Sequence, residues 1–305
     1  MSNMGSSINK KDYIKKELFG KIYSTFCGLL IIVLTISIVF FIASKGIVTF
    51  TRNHVSVIDF IFSSKWAPES LNSNGTPQLG SAIFIVGSIL VSLFAVIVST
   101  PLSVCAAIFM TEISPKFGEK LLRPSIELFV GIPSVVYGWI GLSVLVPFIR
   151  KNIGGLGFSF LAGGIVLTIM IMPTIASVAS DSLKALPLNY KEASFALGAT
   201  RWQTIRKVLL PAAAPGIFTG VVLGLARAFG EALAVQMVIG NSIKIPSGLL
   251  DPTTTLTSII TMDMGNTVSG SAWNNALWSM ALLLLLISFG FILIIRKISS
   301  RRSMR

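Results

Sequence analysis

Acidic residues and histidine are scarce in this chain of 305 residues, which contains 12 Asp and Glu and a single His. The lone His54 excludes any metal site that needs two histidine ligands, and no HExxH pattern occurs. The two cysteines, Cys27 and Cys105, both lie in apolar runs, so they indicate no disulfide framework. No set of nucleophile, base and acid stands out. An enzyme is therefore the least supported class, and we expect neither a cofactor nor a metal.

Charge of either sign is also in short supply. Charged residues make up 12% of the chain, against the roughly 25% that is usual in a soluble domain. Hydrophobic residues make up 53%, and the mean hydropathy is +0.81. This composition predicts an integral membrane protein that is solvated mainly by lipid. A net charge of +13 would suggest nucleic acid as the partner of a soluble protein, but here it predicts no such partner.

Long apolar runs are what the sequence has in abundance. A helix needs about 20 mostly apolar residues to cross a bilayer core of about 30 Å, and six segments qualify. They lie at about 22–43, 79–98, 127–150, 151–181, 211–239 and 273–295. The first run is longer than the apolar region of a signal peptide, so we interpret it as a retained anchor. The predicted fold class is an all-α integral membrane protein with six transmembrane helices.

The basic residues are distributed unequally between the two sides of these spans. Eighteen of the 25 lie before the first span, in the loops that follow spans two and four, or after span six, and six lie in the other loops. Because cytoplasmic segments are enriched in Lys and Arg, both termini are predicted to be cytoplasmic, where the positive charge also faces anionic lipid. The remaining basic residue, Arg227, lies inside span five.

The loop at 181–211 is the most informative polar segment. Asn189 is predicted to cap a short helix that Gly198 ends, and Thr200 to cap a second one. The apolar face of the second helix is predicted to contain Trp202, Ile205, Val208 and Leu209. A helix pair of this size cannot bury a core of its own. It must therefore pack either on its own spans or on a partner.

This loop carries a pattern in two parts, which consists of Glu192, Ala193, Ser194, Gly198, Val208, Leu209, Leu210 and Pro211. The pattern resembles the EAA signature of bacterial ABC importer permeases, with mild departures at Ser194 and Val208. The resemblance implies a type I importer transmembrane domain whose loop docks on an ATPase. The residues carried over for that contact are Glu192, Ala193, Gly198, Leu210 and Pro211. The chain has no G-x-x-x-x-G-K-[ST] motif, so ATP hydrolysis is expected in a separate chain.

Span five combines small residues with two charges. Gly216, Gly220, Gly224 and Ala228 recur at i+4 and form a stripe that lets another helix approach closely. Arg227 lies roughly 22 Å along the helix from Ala212, and Glu231 follows at i+4, so the two are expected to stand one above the other. They either lock a helix interface as an ion pair or face a water-filled path, where the arginine fork suits an oxyanion.

The segment at 224–241 carries a second resemblance. Its R-A-x-G-E core, from Arg227 to Glu231, is similar to that of the phosphate-specific importer permeases, and the chain looks more like the PstC-type than the PstA-type member. The resemblance implies that Arg227 and Glu231 take part in phosphate passage in a bacterial cytoplasmic membrane. The implied partners are a homologous PstA-type permease, two PstB-type ATPase subunits and an extracytoplasmic PstS-type phosphate-binding protein. Importers of molybdate or sulfate, and a secondary anion transporter, remain alternatives.

Span three supplies further candidates, because the residues from Glu127 to Gly138 resemble the same family. Glu127 is either a first-turn acid that favours the helix dipole or a residue near the path. Ser134 and Tyr137 could offer hydroxyl donors to a passing anion. The predicted organisation is a tail, first span and outer loop at 1–77, a permease domain at 78–296, and a basic cytoplasmic tail at 297–305.

Overall fold

The structure, a computed structural model, describes the backbone of residues 10–71 and 75–303 and the side chains of residues 18–71, 75–293 and 297. Within this part of the chain, six helices are long and apolar enough to cross a membrane. We number them spans one to six: Leu18–Thr51, Ala82–Ile113, Ser134–Asn152, Phe160–Lys184, Arg201–Gly230 and Ala272–Leu293. The prediction of an all-α chain with six membrane helices is confirmed.

Shorter elements connect the spans. The helix of span one begins at Lys10 and ends at Gly46, and the helix of span six continues to Ser303. The other helices outside or at the ends of spans are Val48–Thr51, Val57–Phe62, Pro115–Phe117, Arg123–Gly131, Asn189–Ala196, Leu233–Gln236, Leu256–Asp263 and the 3-10 turn Met264–Asn266. Wider π-helical turns occur at Phe109–Ile113, Gly118–Leu122, Gly141–Leu145 and Ile205–Leu209. The last helix therefore runs through residue 296, and the three-part division of the chain stays a prediction.

A small hairpin lies between spans one and two. Strand β1 (Trp66–Leu71) pairs antiparallel with strand β2 (Pro77–Leu79), with Trp66 opposite Leu79. The Trp66 ring meets the Phe84 ring of span two edge to face, with centroids 5.3 Å apart. This aromatic contact anchors the hairpin to the bundle.

Span three is shorter than the single helix expected over 127–150. The structure has two helices there, Arg123–Gly131 and Ser134–Asn152. Between them Ile132 is extended, with φ −68° and ψ 129°, because the residue before a proline is pushed out of the helical region. Glu127 therefore belongs to the preceding helix and not to span three.

Span five also ends early, at Gly230 rather than near Ile239. Glu231 is extended, with φ −77° and ψ 124°, so the helix cannot continue through it. The chain then returns as helix Leu233–Gln236, which packs on spans three and four, and as helix Leu256–Asp263, which packs on spans two and six. The predicted boundary was wrong, and a folded segment at 231–263 fills the space between the spans.

Spans two, four and five form the centre of the bundle. The glycine stripe of span five lies against span four. A Cβ at Gly220 would lie 3.1 Å from the Cβ of Val178, and one at Gly224 would lie 2.7 Å from Cγ1 of Ile175. This close approach confirms that the stripe serves helix packing. It also brings the last turn of span five next to span four.

Span one lies at the edge of the bundle. None of the residues in its most apolar window is buried on this chain, and the span packs against span six. The Ser279 hydroxyl lies 2.5 Å from the Gly46 carbonyl oxygen and 2.6 Å from Oγ1 of Thr49, and the rings of Phe41 and Trp278 meet edge to face. These polar and aromatic contacts fix one end of span one. We call the end of the bundle that carries the 181–211 loop the loop side; span one is attached at the opposite side.

Candidate functional site

Arg227 lies in the last turn of span five and is half-buried. Its Nη1 donates to Oγ1 of Thr174 on span four, with an N to O distance of 3.1 Å. The other guanidinium nitrogens are neither hydrogen-bonded to described residues nor buried. Because the guanidinium is a rigid planar fork of donors, one nitrogen is held by span four while the rest can still donate to an oxyanion.

Glu231 is not paired with Arg227, and no ion pair joins the two among the described side chains. An i, i+4 contact requires a continuous helix, and the helix ends between them. The Glu231 Oε1 instead accepts the N–H of Ala234 at 3.0 Å, and its carbonyl oxygen accepts the Thr257 hydroxyl at 2.7 Å. The expected stacked ion pair was wrong. Glu231 holds the turn that ends span five, and its place in a substrate path stays a prediction.

Four hydroxyl residues lie near Glu231. Ser88 and Ser92 of span two, together with Thr255 and Thr257, line a narrow cavity beside it. The cavity has a volume of about 10 Å³, which is about the size that one water molecule needs. Sequence reasoning overlooked these hydroxyls and Thr174. The signal was present as serine and threonine residues within or beside apolar runs, since such small hydroxyl residues are enriched where membrane helices pack closely and can hydrogen-bond across helices.

Tyr137 is buried at the start of span three. Its hydroxyl donates to the carbonyl oxygen of Phe129 at 2.7 Å, so it bridges the break before span three. The Tyr137 hydroxyl proton, which was expected to be donated to an anion, is thus already engaged in this hydrogen bond. Ser134, at the start of span three, is half-buried, and its hydroxyl has no hydrogen bond among the described contacts.

Glu127 is exposed on the loop side and does not contact Arg227. Its Oε1 lies 3.2 Å from Nε of Arg123, and Nη2 of Arg123 lies 3.4 Å from Oδ1 of Asp181. Glu127 is the fifth residue of helix Arg123–Gly131, so it is not a first-turn acid either. A role of Glu127 near the path is a prediction without support from these contacts.

The 181–211 loop consists of two short helices, as predicted. Helix Asn189–Ala196 is followed by Gly198, whose φ of +77° requires glycine. Thr200 caps the second helix, since its Oγ1 accepts the Gln203 N–H and Gln203 caps it in return. The cap expected from Asn189 was wrong. The preceding residue already has helical backbone angles and no side-chain cap forms, so Asn189 lies within the first turn.

The two faces of this loop differ in exposure. On one face Ile205 and Leu209 are buried against the loop-side ends of spans two and four. On the other, Leu197 is 89% exposed and Trp202 58% exposed, so Trp202 does not join the buried face. Glu192 and Ala193 are also exposed. The loop therefore packs on its own spans with one face and leaves a face with Leu197, Trp202 and Glu192 uncovered. Span five begins with the second loop helix, and Leu210 and Pro211 lie within it.

The family comparison covers this part of the chain. The model of the family described as "Binding-protein-dependent transport system inner membrane component" matches residues 99–304, which include both the 181–211 loop and Arg227. The chain belongs to this family. It is a multi-pass cell-membrane protein and a permease subunit of an ABC importer. Such a permease is a membrane component rather than an enzyme, and it works with ATPase and binding-protein partners.

Individual relatives agree with the family assignment. The chain is 53% identical over 287 residues to the "Probable ABC transporter permease protein YqgH" of Bacillus subtilis, which covers 94% of this chain and 92% of that protein. It is 33% identical over 266 residues to the "Phosphate transport system permease protein PstC" of Xylella fastidiosa, at 81% and 80% coverage. The resemblance to PstC-type permeases is thus confirmed.

Solved structures agree on the fold. The chain resembles a subunit of the MetNI methionine ABC transporter in an inward-facing conformation, with a TM-score of 0.55, 20% identity and coverage of 71% of this chain and 93% of that one. At this identity the likeness concerns the fold alone. It supports the type I importer transmembrane domain that the sequence predicted.

Proposed function

We propose that this permease imports inorganic phosphate. The observation that carries the proposal is Arg227, an arginine within a membrane helix that is tied to Thr174 by one nitrogen and keeps its other donors available. Phosphate presents several acceptor oxygens, and the arginine fork suits their geometry. The names of the PstC relatives support the same substrate.

The proposed complex contains four kinds of chain. A homologous PstA-type permease would pair with this one, and two copies of a PstB-type ATPase would bind on the cytoplasmic side, one of them at the uncovered face of the 181–211 loop. A PstS-type binding protein would deliver phosphate from outside. The exposed Glu192 and Ala193 lie on that face, and Leu210 and Pro211 join it to span five. Closing of the ATPases would shift the loop and span five together. The path beside Arg227 would then open alternately to the two sides of the membrane.

The test is phosphate accumulation by the complete complex in liposomes, with ATP inside and the loaded binding protein outside. For Arg227→Gln we expect a fall of at least about tenfold, because one charge-assisted contact is typically worth that much. Arg227→Lys keeps the positive charge but loses the planar fork of donors. Phosphate uptake with this variant should therefore lie between that of the wild type and that of Arg227→Gln. Arg52→Gln, an exposed arginine far along the chain from span five, is the matched control and should transport normally.

Three results would contradict the proposal. Wild-type uptake by Arg227→Gln, with the complex assembled, would remove Arg227 from the path. Accumulation of sulfate or molybdate in place of phosphate would identify another oxyanion importer. Uptake that persists when vanadate blocks the ATPase would indicate a secondary transporter.

A further inference from the structure

Helix Asn189–Ala196, the first helix of the 181–211 loop, has little apolar contact with the bundle. Tyr190 and Phe195 are 47% and 50% exposed. The buried apolar cluster on the loop side includes Ile205 and Leu209 from the second loop helix but no residue of the first. Polar contacts must therefore hold the first helix in place.

Two polar contacts do so. Ser194 Oγ and Thr204 Oγ1 lie 2.9 Å apart and buried, which joins the first loop helix to the second. Lys191 Nζ lies 2.7 Å from Oε1 of Glu112 at the end of span two. Thr204 lies at the start of span five, so among the described side-chain hydrogen bonds and ion pairs of helix Asn189–Ala196 the Lys191–Glu112 pair alone reaches a different span.

The Glu112 end of this contact is well fixed. Its side chain is only 9% accessible and belongs to the π-helical turn Phe109–Ile113 that ends span two. A second bond adds to it, since Nη2 of Arg201 donates to the carbonyl oxygen of Ile113 at 3.3 Å. A cleft of about 270 Å³ runs along the same seam. Side chains thus fill the space between the first loop helix and the end of span two incompletely, and these two polar bonds cross it.

We propose that Glu112 and Lys191 form a clamp through which the first loop helix moves span two together with span five. Lys191 directly precedes Glu192, which is exposed on the uncovered face. The first loop helix thus carries Glu192 on its exposed side and Lys191, which pairs with Glu112, on the side that faces span two. Without the clamp, the side chains of the first helix would be tied to the bundle only through span five, which begins with the second loop helix. The inference rests on the proposed function, because it requires an ATPase that moves the loop. Glu112 acts here as a positioning residue.

A charge-reversal cycle tests the clamp in the reconstituted complex. Glu112→Lys and Lys191→Glu each place like charges together, and the double variant restores an ion pair in the opposite sense. We expect each single variant to keep the ATPase bound and hydrolysing but to lower the phosphate imported per ATP by about fivefold or more. The double variant should recover most of that ratio.

The matched control is a second ion pair on the loop side, at the end of span four. Lys184 Nζ lies 2.9 Å from Oε1 of Glu119, and the hydrogen bond and charge of this lysine lower the pKa of the carboxyl group. Both groups are more exposed than Glu112 and neither lies in helix Asn189–Ala196. Glu119→Lys should therefore leave the ratio of phosphate to ATP unchanged.

A cross-link covers the case in which the reversals prevent assembly. Glu112→Cys and Lys191→Cys, with Cys27 and Cys105 replaced by serine, are joined by a short reducible linker. A clamp that stays closed predicts that the linked complex transports as well as the reduced one. Loss of transport on linking would overturn the clamp, as would assembled single variants with a wild-type ratio or a double variant that fails to recover. If the wild-type complex shows no ATP-driven uptake, the proposed function fails instead.

Discussion

At the scale of single residues, Arg227 has a different partner from the one that the sequence spacing suggests. The sequence placed Glu231 four residues later, and on a continuous helix that spacing gives an ion pair. The backbone turns at Glu231 instead, and Thr174, 53 positions earlier, takes its place as the partner. No local pattern could have indicated this contact, because it depends on how closely spans four and five approach.

The carboxylate of Glu231 provides a prediction at this scale. Its Oε1 accepts the Ala234 N–H, and the amide oxygen of glutamine can do the same. Glu231→Gln should therefore unfold at nearly the wild-type temperature in detergent, whereas Glu231→Ala should lose about 1 kcal/mol. Equal losses in both variants would mean that the charge, rather than the acceptor, stabilises the turn.

Gly198 provides another prediction at the scale of single residues. It has a φ of +77°, and a Cβ built there meets nothing within 4 Å, so the constraint is in the backbone and not in the space. Gly198→Val should cost about 1–2 kcal/mol and release the ATPase during purification, while Gly198→Asn, which tolerates this conformation, should retain it. Retention of the ATPase by both variants would show that the turn is not needed for docking.

At the scale of elements, the six spans were predictable because burial in lipid requires long apolar helices with all backbone groups paired. Their ends were less predictable. The segment predicted as span three is divided next to Pro133, and span five stops at Gly230 although apolar residues continue. In the apolar stretch that follows, composition cannot distinguish a longer helix from a folded segment packed between other helices.

The glycine face of span five gives the prediction at this scale. Gly220 lies against Val178, and a larger side chain would force spans four and five apart. Gly220→Leu should destabilise the chain by about 1–3 kcal/mol and, by moving Thr174 away from Arg227, reduce phosphate uptake. Gly290→Leu on span six is the control, since a Cβ there meets nothing within 4 Å. Similar thermal stability of the two variants would contradict the packing role.

At the scale of the whole molecule, the net charge of +13 describes orientation more than chemistry. Eighteen basic residues are predicted to lie on the cytoplasmic side, which is where the 181–211 loop would have to meet an ATPase. The loop side of the structure carries Lys184, Arg201 and Arg206, consistent with that grouping. Orientation in the membrane itself stays a prediction.

Cysteine labelling tests the orientation. In a background with Cys27 and Cys105 replaced by serine, Lys244→Cys should react with an impermeant thiol reagent added to intact cells. Lys120→Cys, which is also exposed, should react only after the membrane is opened. The reverse pattern would place the loop side outside and would exclude docking of a cytoplasmic ATPase there.

The sequence by itself determined the class of the protein, a six-span permease, and placed one arginine within the fifth predicted span. These features are local, because hydropathy, charge bias and motif spacing act within short segments. Only the tertiary structure decided that Thr174 holds Arg227, that Glu231 ends span five, and that Lys191 reaches Glu112. Each of these contacts depends on where the chain bends and which helices approach, and hydropathy does not encode either.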